Sequence, residues 1–166
     1  NRRDRLYHQP IINRPKLFLK NNKKIILWVI VNLEVWDPEL PQPRNILPPP
    51  MNVPMLPDLP NWSWHEYGMR VGFWRMFKAL KDRSIPSTLA LNATVVDHYP
   101  ETVEAAMKEN WEPMGHGYIQ RPMHKVENQF VDIKSAIKKI EDFTKQDVIG
   151  WELSLIHISE PTRPGH

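Results

Sequence analysis

A chain of 166 residues with 41% hydrophobic and 25% charged residues is long enough to bury one hydrophobic core, and this composition excludes a largely disordered protein. The absence of cysteine excludes disulfide bonds and thiolate metal sites. The formal net charge of +3 depends on the first residues of the chain, so the remainder lacks the basic excess typical of a nucleic-acid-binding domain.

The N-terminal arm, residues 1–24, has one acidic residue, Asp4. Its basic residues are Arg2, Arg3, Arg5, Arg14, Lys16, Lys20, Lys23 and Lys24. The arm lacks the aromatic interleaving and the fold that accompany nucleic-acid binding, so we predict a solvated segment and no nucleic-acid partner.

The first apolar run, Ile25–Val31, is rich in β-branched residues and predicts a strand buried on both faces of a parallel sheet. Its carboxyl end leads into Asn32, Leu33 and Glu34. Open α/β sheets and β/α barrels carry their functional residues at this end of the strands. The run is too short to span a bilayer, so we predict no membrane partner and favour a cytoplasmic location.

A proline-rich segment follows at residues 36–64. Its prolines are Pro38, Pro41, Pro43, Pro48, Pro49, Pro50, Pro54, Pro57 and Pro60. Proline interrupts helices and interior strands, so the segment predicts a long loop. A linker, or a polyproline ligand for a partner domain, is one interpretation. Linkers rarely separate a first strand from a first helix, and we therefore favour a loop that covers a functional site.

The rest of the chain alternates between helical and strand patterns. We predict a helix at Gly68–Lys81, a strand at Ser87–Asn92, a helix at Tyr99–Asn110, a strand at Glu112–Gly115 and a helix at Val126–Phe143. Apolar residues recur at helical spacing in the helices, as at Met69, Phe73 and Phe77. Such alternation is typical of βα units around a parallel sheet.

The last residues, 153–166, do not resemble the native part of the chain. Leu153–Pro164 matches the in-frame translation of a transposon-end sequencing adapter along its whole length. We therefore predict that this tail is not native, that residues 25–152 form part of a domain, and that the native chain continues past Glu152. The alternative is a native amphiphilic tail.

Three groups of residues should meet at one end of the predicted sheet: Glu34 after the first strand, residues 64–72 at the start of a helix, and His116 after the third strand. Gly115 and Gly117 flank His116, which lets the backbone turn sharply and approach a ligand. Each group also has a structural interpretation. Glu34 could pair with Arg70, and His116 could be a satisfied polar residue. Glu66 and Arg70 could form a helix-stabilising pair, and Trp64 could belong to the core.

These motifs, in this order, resemble the NodB-type polysaccharide deacetylase superfamily, and within it the branch of bacterial allantoinases and peptidoglycan deacetylase-like proteins. They are Glu-Tyr-Gly-x-Arg-x-Gly at residues 66–72, Pro-Ser-Thr at 86–88, Pro-Glu at 100–101, Gly-His-Gly-Tyr at 115–118 and Gly-Trp at 150–151. The resemblance spans residues 7–151. It implies the N-terminal part of a distorted β/α barrel and hydrolysis of carbon–nitrogen bonds other than peptide bonds.

Metal-dependent members of that superfamily have an Asp pair after the first strand and a His-x-x-x-His pair after the third. Here Glu34 and His116 occupy the first position of each pair, but Val35 and Gln120 occupy the other two. A catalytic zinc ion normally has three protein ligands. The resemblance therefore implies a site without a metal. The alternative is zinc or another divalent ion bound by Glu34 and His116, with Asp37, His65 or His124 completing the set.

The resemblance further implies a small-molecule or glycan substrate. In this hypothesis Glu34 is the general base that activates water, and His116 polarises the substrate carbonyl or protonates the leaving nitrogen. Glu66, Arg70, Trp64 and Tyr118 are the candidate substrate contacts. Burial at a strand end is expected to raise the pKa of Glu34. The competing hypothesis is a non-catalytic relative that binds carbohydrate or protein, and the sequence leaves the oligomeric state open.

Overall fold

A computed structural model describes residues 8–40, 42, 46–53 and 55–153, so the predicted non-native tail after Leu153 lies outside the described residues. Within them, three parallel strands form one sheet in the order β1 (Val29–Leu33), β2 (Ser87–Leu91) and β3 (Glu112–Gly115). Leu33 pairs with Leu91, and Leu91 pairs with Gly115. The carboxyl ends of the three strands are therefore level. The predicted parallel α/β architecture is confirmed.

A fourth stretch of chain lies parallel to β3. Gly115 forms a bridge with Trp151, in which the Gly115 amide donates to the Gly150 carbonyl at 3.0 Å and the Glu152 amide donates to the Gly115 carbonyl at 2.9 Å. This contact brings Glu152 beside the carboxyl end of β3.

Helices connect and flank the strands. They are α1 (Leu59–Tyr67), α2 (Phe73–Lys81), α3 (Val95–His98), α4 (Pro100–Lys108) and α5 (Gln129–Thr144). A π-helical turn, Gly68–Gly72, joins α1 to α2. Short 3-10 turns lie at Ile11–Asn13, Lys20–Asn22, Pro50–Asn52 and Met123–Lys125. None of the helices in the described residues is long and apolar enough to cross a membrane.

The core lies around β2, whose five residues are all buried. Its largest fully buried apolar side chains are Phe73, Leu33, Leu89, Leu91, Val95, Val103, Trp111 and Ile140. Phe77 of α2 joins the rings of Phe73 and Trp111, with centroids 5.6 and 5.5 Å apart. These contacts fix α2 against the sheet, because packed aromatic rings contribute large buried areas.

The first strand lies later in the chain than its sequence pattern indicated. It was predicted at Ile25–Val31 with both faces buried, but the strand is Val29–Leu33 and Ile25 and Leu27 are 82% and 80% exposed. The neighbouring strand decides the boundary, since β2 begins at Ser87, which pairs with Val29. An apolar run alone does not show where its pairing partner starts.

The proline-rich segment ends in a helix, contrary to the prediction of a loop up to residue 64. Helix α1 begins at Leu59, and the side chain of Asp58 caps it by accepting a hydrogen bond from the Asn61 amide at 3.2 Å. Pro60 lies in the first turn, where its missing N–H has no intrahelical partner to lose. The helix predicted at Gly68–Lys81 is the second part of a longer helical segment.

The last helix also begins later than predicted. Its start was placed at Val126, but α5 begins at Gln129. The side chain of Asn128 accepts a hydrogen bond from the Val131 amide at 3.2 Å, so Asn128 is the N-cap. The apolar period that included Val126 extends beyond the helix because Val126 is buried after a 3-10 turn.

We expect Leu91→Ala to lower the free energy of unfolding by about 2–5 kcal/mol, since truncation leaves a cavity in the core. Leu27→Ala is the matched control and should change it by less than about 0.5 kcal/mol, because Leu27 is exposed. Urea unfolding followed by circular dichroism measures both. A large loss for Leu27→Ala would contradict the observed start of β1.

Candidate active site

Polar residues follow each of the three strands at the level carboxyl edge of the sheet. Glu34 follows β1, Asn92 follows β2 and His116 follows β3. Because Leu33, Leu91 and Gly115 are paired across the sheet, the residues after them share one edge. The expected meeting of Glu34 and His116 is therefore a consequence of strand register.

Glu34 and His116 are in direct contact. His116 Nε2 lies 3.1 Å from Glu34 Oε1, and the indole Nε1 of Trp36 donates to Glu34 Oε2 at 3.0 Å. The His116 side chain is fully buried, whereas the Glu34 side chain is 24% exposed. Glu34 therefore contacts the buried imidazole and is itself partly accessible to solvent.

The second ring nitrogen of His116 also faces oxygen. His116 Nδ1 lies 3.1 Å from the backbone carbonyl oxygen of Glu152 and 3.6 Å from Glu152 Oε2. A carbonyl oxygen can only accept, and an ionised carboxylate can only accept. Both ring nitrogens donate only in the doubly protonated imidazolium. The surroundings therefore favour a charged His116 paired with a carboxylate at Glu34.

The pKa directions agree with this pairing. Burial raises the pKa of Glu34, but the hydrogen bond and charge of His116, with a smaller effect from the Trp36 hydrogen bond, lower it below its ordinary value. Burial lowers the pKa of His116, but the hydrogen bond and charge of Glu34 raise it above the ordinary value. The expectation that burial would raise the pKa of Glu34 is wrong in its net direction, because the contact with His116 outweighs the effect of burial.

The two glycines around His116 have different roles. Gly117 has φ 97°, a conformation that other residues rarely adopt, so it supplies the expected sharp turn. Gly115 brings the backbone close to Trp151 rather than to a ligand, since an added Cβ would lie 2.5 Å from Trp151 Cε3. That approach places the Glu152 carbonyl against His116.

A cleft of about 420 Å³ opens beside Glu34. Its lining includes Asn32, Glu34, Trp36, Trp64 and His65, together with Gly68, Met69, Gly72, Phe73 and Met76 of the helical segment. Among the described residues, no Lys or Arg lines it. The cleft therefore combines one carboxylate with aromatic and apolar walls, which suits an uncharged ligand with a flat face.

His65 and Trp36 are not among the site residues that the sequence predicts, except that His65 is an alternative metal ligand there. Their rings are stacked with centroids 4.9 Å apart, and both line the cleft. Burial lowers the pKa of His65, against smaller opposing effects of Glu34 and Glu66. A neutral imidazole is therefore favoured. No local pattern marks these residues, since Trp36 lies in the proline-rich segment and His65 in a helix.

Of the four expected substrate contacts, the structure brings one to the cleft. Trp64 lines it and is 53% exposed. Glu66 and Arg70 form the i,i+4 pair, with Arg70 Nε 2.8 Å from Glu66 Oε2, and Tyr99 also donates to Glu66. Glu66 and Arg70 do not line the cleft. Arg70 pairs with Glu66 and not with Glu34, which was the structural alternative for Glu34. Tyr118 lines a separate groove with Arg121 and Lys125.

The donor set does not fit the metal site of the metal-dependent deacetylases. Val35 has no ligand atom in its side chain, and the side-chain oxygen of Gln120 accepts a hydrogen bond from Asn92 at 2.8 Å. His116 Nε2 and Glu34 Oε1 face each other and are two candidate donors, one fewer than the three protein ligands of a usual catalytic zinc ion. Across residues 8–40, 42, 46–53 and 55–153, no three His, Asp or Glu side chains are grouped to hold a metal ion. The alternative ligand His124 cannot be placed in this set, since its side chain is not among those that the structure describes.

Solved structures share this fold. A probable polysaccharide deacetylase from Pseudomonas aeruginosa PAO1 matches 60% of this chain and 33% of its own, with 28% identity and a TM-score of 0.53. The resemblance to NodB-type deacetylases is confirmed. The Puue allantoinase matches 56% of this chain and 32% of its own, with 27% identity and a TM-score of 0.53. The chain thus spans about a third of the length of each. No family model and no curated protein matches the sequence.

The Glu34–His116 pair should make the stability depend on pH. The raised pKa of His116 gives a contribution that is complete below its unfolded value of 6.5 and is lost as pH rises through the folded pKa. The lowered pKa of Glu34 gives a contribution that is present above its unfolded value of 4.5 and is lost as pH falls through the folded pKa. The pair should therefore stabilise most between these two values.

The measurement is the difference in free energy of unfolding between the wild type and Glu34→Gln, taken at about pH 5.5 and about pH 9. We expect the difference to shrink at the higher pH. Glu112→Gln, at an exposed position, should show no such change. A difference that grows with pH would contradict the charged pair.

Proposed function

We propose that the protein to which this chain belongs hydrolyses a carbon–nitrogen bond other than a peptide bond, in an amide or ureide. The observation that carries the proposal is the Glu34–His116 pair, which lies at the carboxyl edge of the sheet and at the side of a cleft. The structural likeness to a probable polysaccharide deacetylase and to an allantoinase supports the same reaction class. Those relatives are longer than the chain, so the activity is proposed for the complete protein.

Glu34 is the proposed general base. Its lowered pKa keeps it ionised at neutral pH, so the basic form is present, although a lower pKa also makes it a weaker base. The Glu34 side chain is partly exposed and lines the cleft. A water molecule in the cleft would transfer a proton to the Glu34 carboxylate while its oxygen attacks the substrate carbonyl carbon.

His116 acts on the substrate through Glu34 in this proposal, because its ring is buried behind the carboxylate, with Nε2 facing Glu34 Oε1, and does not line the cleft. This replaces the expected direct contact of His116 with the substrate carbonyl or the leaving nitrogen. Glu34 passes the proton taken from water to the leaving nitrogen as the carbon–nitrogen bond breaks. The carboxylate is thereby restored, and the His116 imidazolium stabilises it at the start and the end of the cycle.

The cleft favours an uncharged substrate, either a small molecule or one sugar unit of a glycan. Trp36, Trp64 and His65 present ring faces, and Glu34 is the charged side chain among the lining residues. A flat amide, ureide or sugar ring gains contact area against such walls without requiring a countercharge. Of the remaining expected contacts, Glu66, Arg70 and Tyr118 would have to act from outside this cleft.

We further propose that the reaction needs no metal. The two positions that would complete a metal site are Val35 and Gln120, and Gln120 is already hydrogen-bonded to Asn92. The chemistry then rests on proton transfer by Glu34, with His116 as its charged partner.

A non-catalytic carbohydrate-binding relative is the second candidate. The exposed ring of Trp64 in the cleft favours it, because exposed aromatic rings bind sugar faces without any chemistry. In that case the Glu34–His116 pair would serve only to hold the strand ends together.

In the full-length protein, we expect Glu34→Gln and His116→Ala each to lower kcat/KM by about 10²–10⁴-fold on whichever probe is hydrolysed, since the first removes the proton-transfer group and the second removes its charged partner. The probes are N-acetylglucosamine oligomers, followed by acetate release, and allantoin, followed by ring opening. Glu112→Gln is the surface control and should retain full activity. Unchanged turnover in both site variants would refute the mechanism, and tight oligosaccharide binding by a wild type without turnover would favour the second candidate.

Chelation should leave the reaction unchanged. We expect the full-length protein to keep its turnover after dialysis against a strong chelator, because the donor set beside His116 is incomplete for zinc. Measured activity and metal content before and after dialysis test this expectation. Loss of activity on chelation, restored by added zinc, would contradict the metal-independent reaction.

A further inference from the structure

We propose that Asn92 is the positioning residue that holds Glu34 and His116 at hydrogen-bonding distance. Asn92 follows β2, the central strand, and is fully buried between the ends of β1 and β3. It does not line the cleft, so it would act through the pair and not on the substrate. The effect of Asn92 on catalysis rests on the proposed function. Its effect on the geometry of the pair does not, because that geometry can be measured without turnover.

Asn92 contacts the backbone on both sides of Glu34. Its own amide donates to the Leu33 carbonyl at 3.1 Å, and its side-chain Oδ1 accepts from the Val35 amide at 3.0 Å. Two hydrogen bonds from one residue therefore fix the peptide groups before and after Glu34. Rotation of the backbone at Glu34 would break at least one of them.

The same side chain holds His116 and Gln120. Asn92 Nδ2 donates to the His116 carbonyl at 2.6 Å and to Gln120 Oε1 at 2.8 Å. The backbone N–H of Gln120 in turn donates to the Val35 carbonyl at 3.3 Å. A closed circuit of hydrogen bonds thus runs from Val35 through Asn92 and Gln120 back to Val35, with the His116 backbone attached to it.

This circuit joins the two chain positions at which metal-dependent deacetylases have further ligands, Val35 and Gln120. Here a side-chain amide links them. The circuit is buried, because Asn92 is 0% and Gln120 3% exposed. A buried side-chain amide whose oxygen and nitrogen are both hydrogen-bonded favours one arrangement of the backbone groups that it contacts.

Asparagine fits the position because it offers an acceptor and two donor hydrogens on one planar group. Aspartate would keep the acceptor for the Val35 amide but would direct a second oxygen at the His116 carbonyl and Gln120 Oε1. Alanine would leave the Val35 amide without its partner. In either case the ends of β1 and β3 lose their common anchor, and the contact between His116 Nε2 and Glu34 Oε1 lengthens or becomes heterogeneous.

The test compares Asn92→Ala, Asn92→Asp and Gln120→Met with Thr102→Val. Thr102 is also buried, and its hydroxyl donates to the Tyr99 carbonyl at 2.7 Å in α4, so its variant loses a buried hydrogen bond away from the pair. The readout is the ¹⁵N chemical shift of both His116 ring nitrogens at fixed pH, detected through the carbon-bound ring protons. Glu34→Gln defines the shift of an imidazole that has lost its charged partner.

We expect the Nε2 resonance of the Asn92 variants to move from the wild-type position towards that of Glu34→Gln, and that of Gln120→Met to move in the same direction by less. Thr102→Val should lower the melting temperature and leave the resonance in place. Wild-type ring shifts in the Asn92 variants, together with a lowered melting temperature, would reduce Asn92 to a structural residue and overturn the proposal. If the Asn92 variants do not fold, Gln120→Met decides on the same criterion.

The kinetic arm uses the full-length protein and the probe it hydrolyses. We expect Gln120→Met to lower kcat by about tenfold or more at an unchanged KM, because misplacement of the pair affects proton transfer and leaves the cleft intact. A rise in KM at constant kcat would overturn the positioning role. Absence of turnover in the wild type would refute the proposed function alone, since the ring shifts report on Asn92 independently.

Discussion

The register of the parallel sheet is the constraint on which the rest of the structure depends. Leu33, Leu91 and Gly115 are paired across three strands, so the chain leaves the sheet at one level in three places. Successive residues of a strand point to opposite faces, and a slip by one residue would turn Glu34 or His116 away from the other. The contact between them therefore exists because β2, buried along its whole length, fixes both neighbours.

The Glu34–His116 pair depends on partners that come from separate parts of the chain. Burial of a charged imidazole costs desolvation energy, but the hydrogen bond and charge of Glu34 outweigh that cost, since the pKa of His116 is raised. The partners are supplied by separate parts of the chain, namely Glu34, the Glu152 carbonyl and the Trp36 indole beside Glu34. Such a concentration of polar groups at a sheet edge is typical of a functional site.

The helical segment beside the pair shows a similar departure from regular structure. Between α1 and α2 the chain takes a π turn at Gly68–Gly72, and both glycines line the cleft. Neither glycine needs its conformational freedom there, because Gly68 and Gly72 have right-handed helical angles. Glycine inside a helix costs about 1 kcal/mol relative to alanine. Two glycines on the cleft side of this segment therefore lower its helix propensity. π turns of this kind occur frequently at functional sites.

The sequence by itself determined the alternation of strands and helices, the parallel sheet, and the placement of Glu34 and His116 at one edge, because these follow from apolar periodicity and from the position of residues after strands. Only the tertiary structure decided where β1 begins, since its partner strand sets that boundary. It also decided the direction of the Glu34 pKa and the contacts of Asn92. Desolvation and hydrogen bonding depend on neighbours that are distant in the chain, and a local sequence pattern does not show which residues these are.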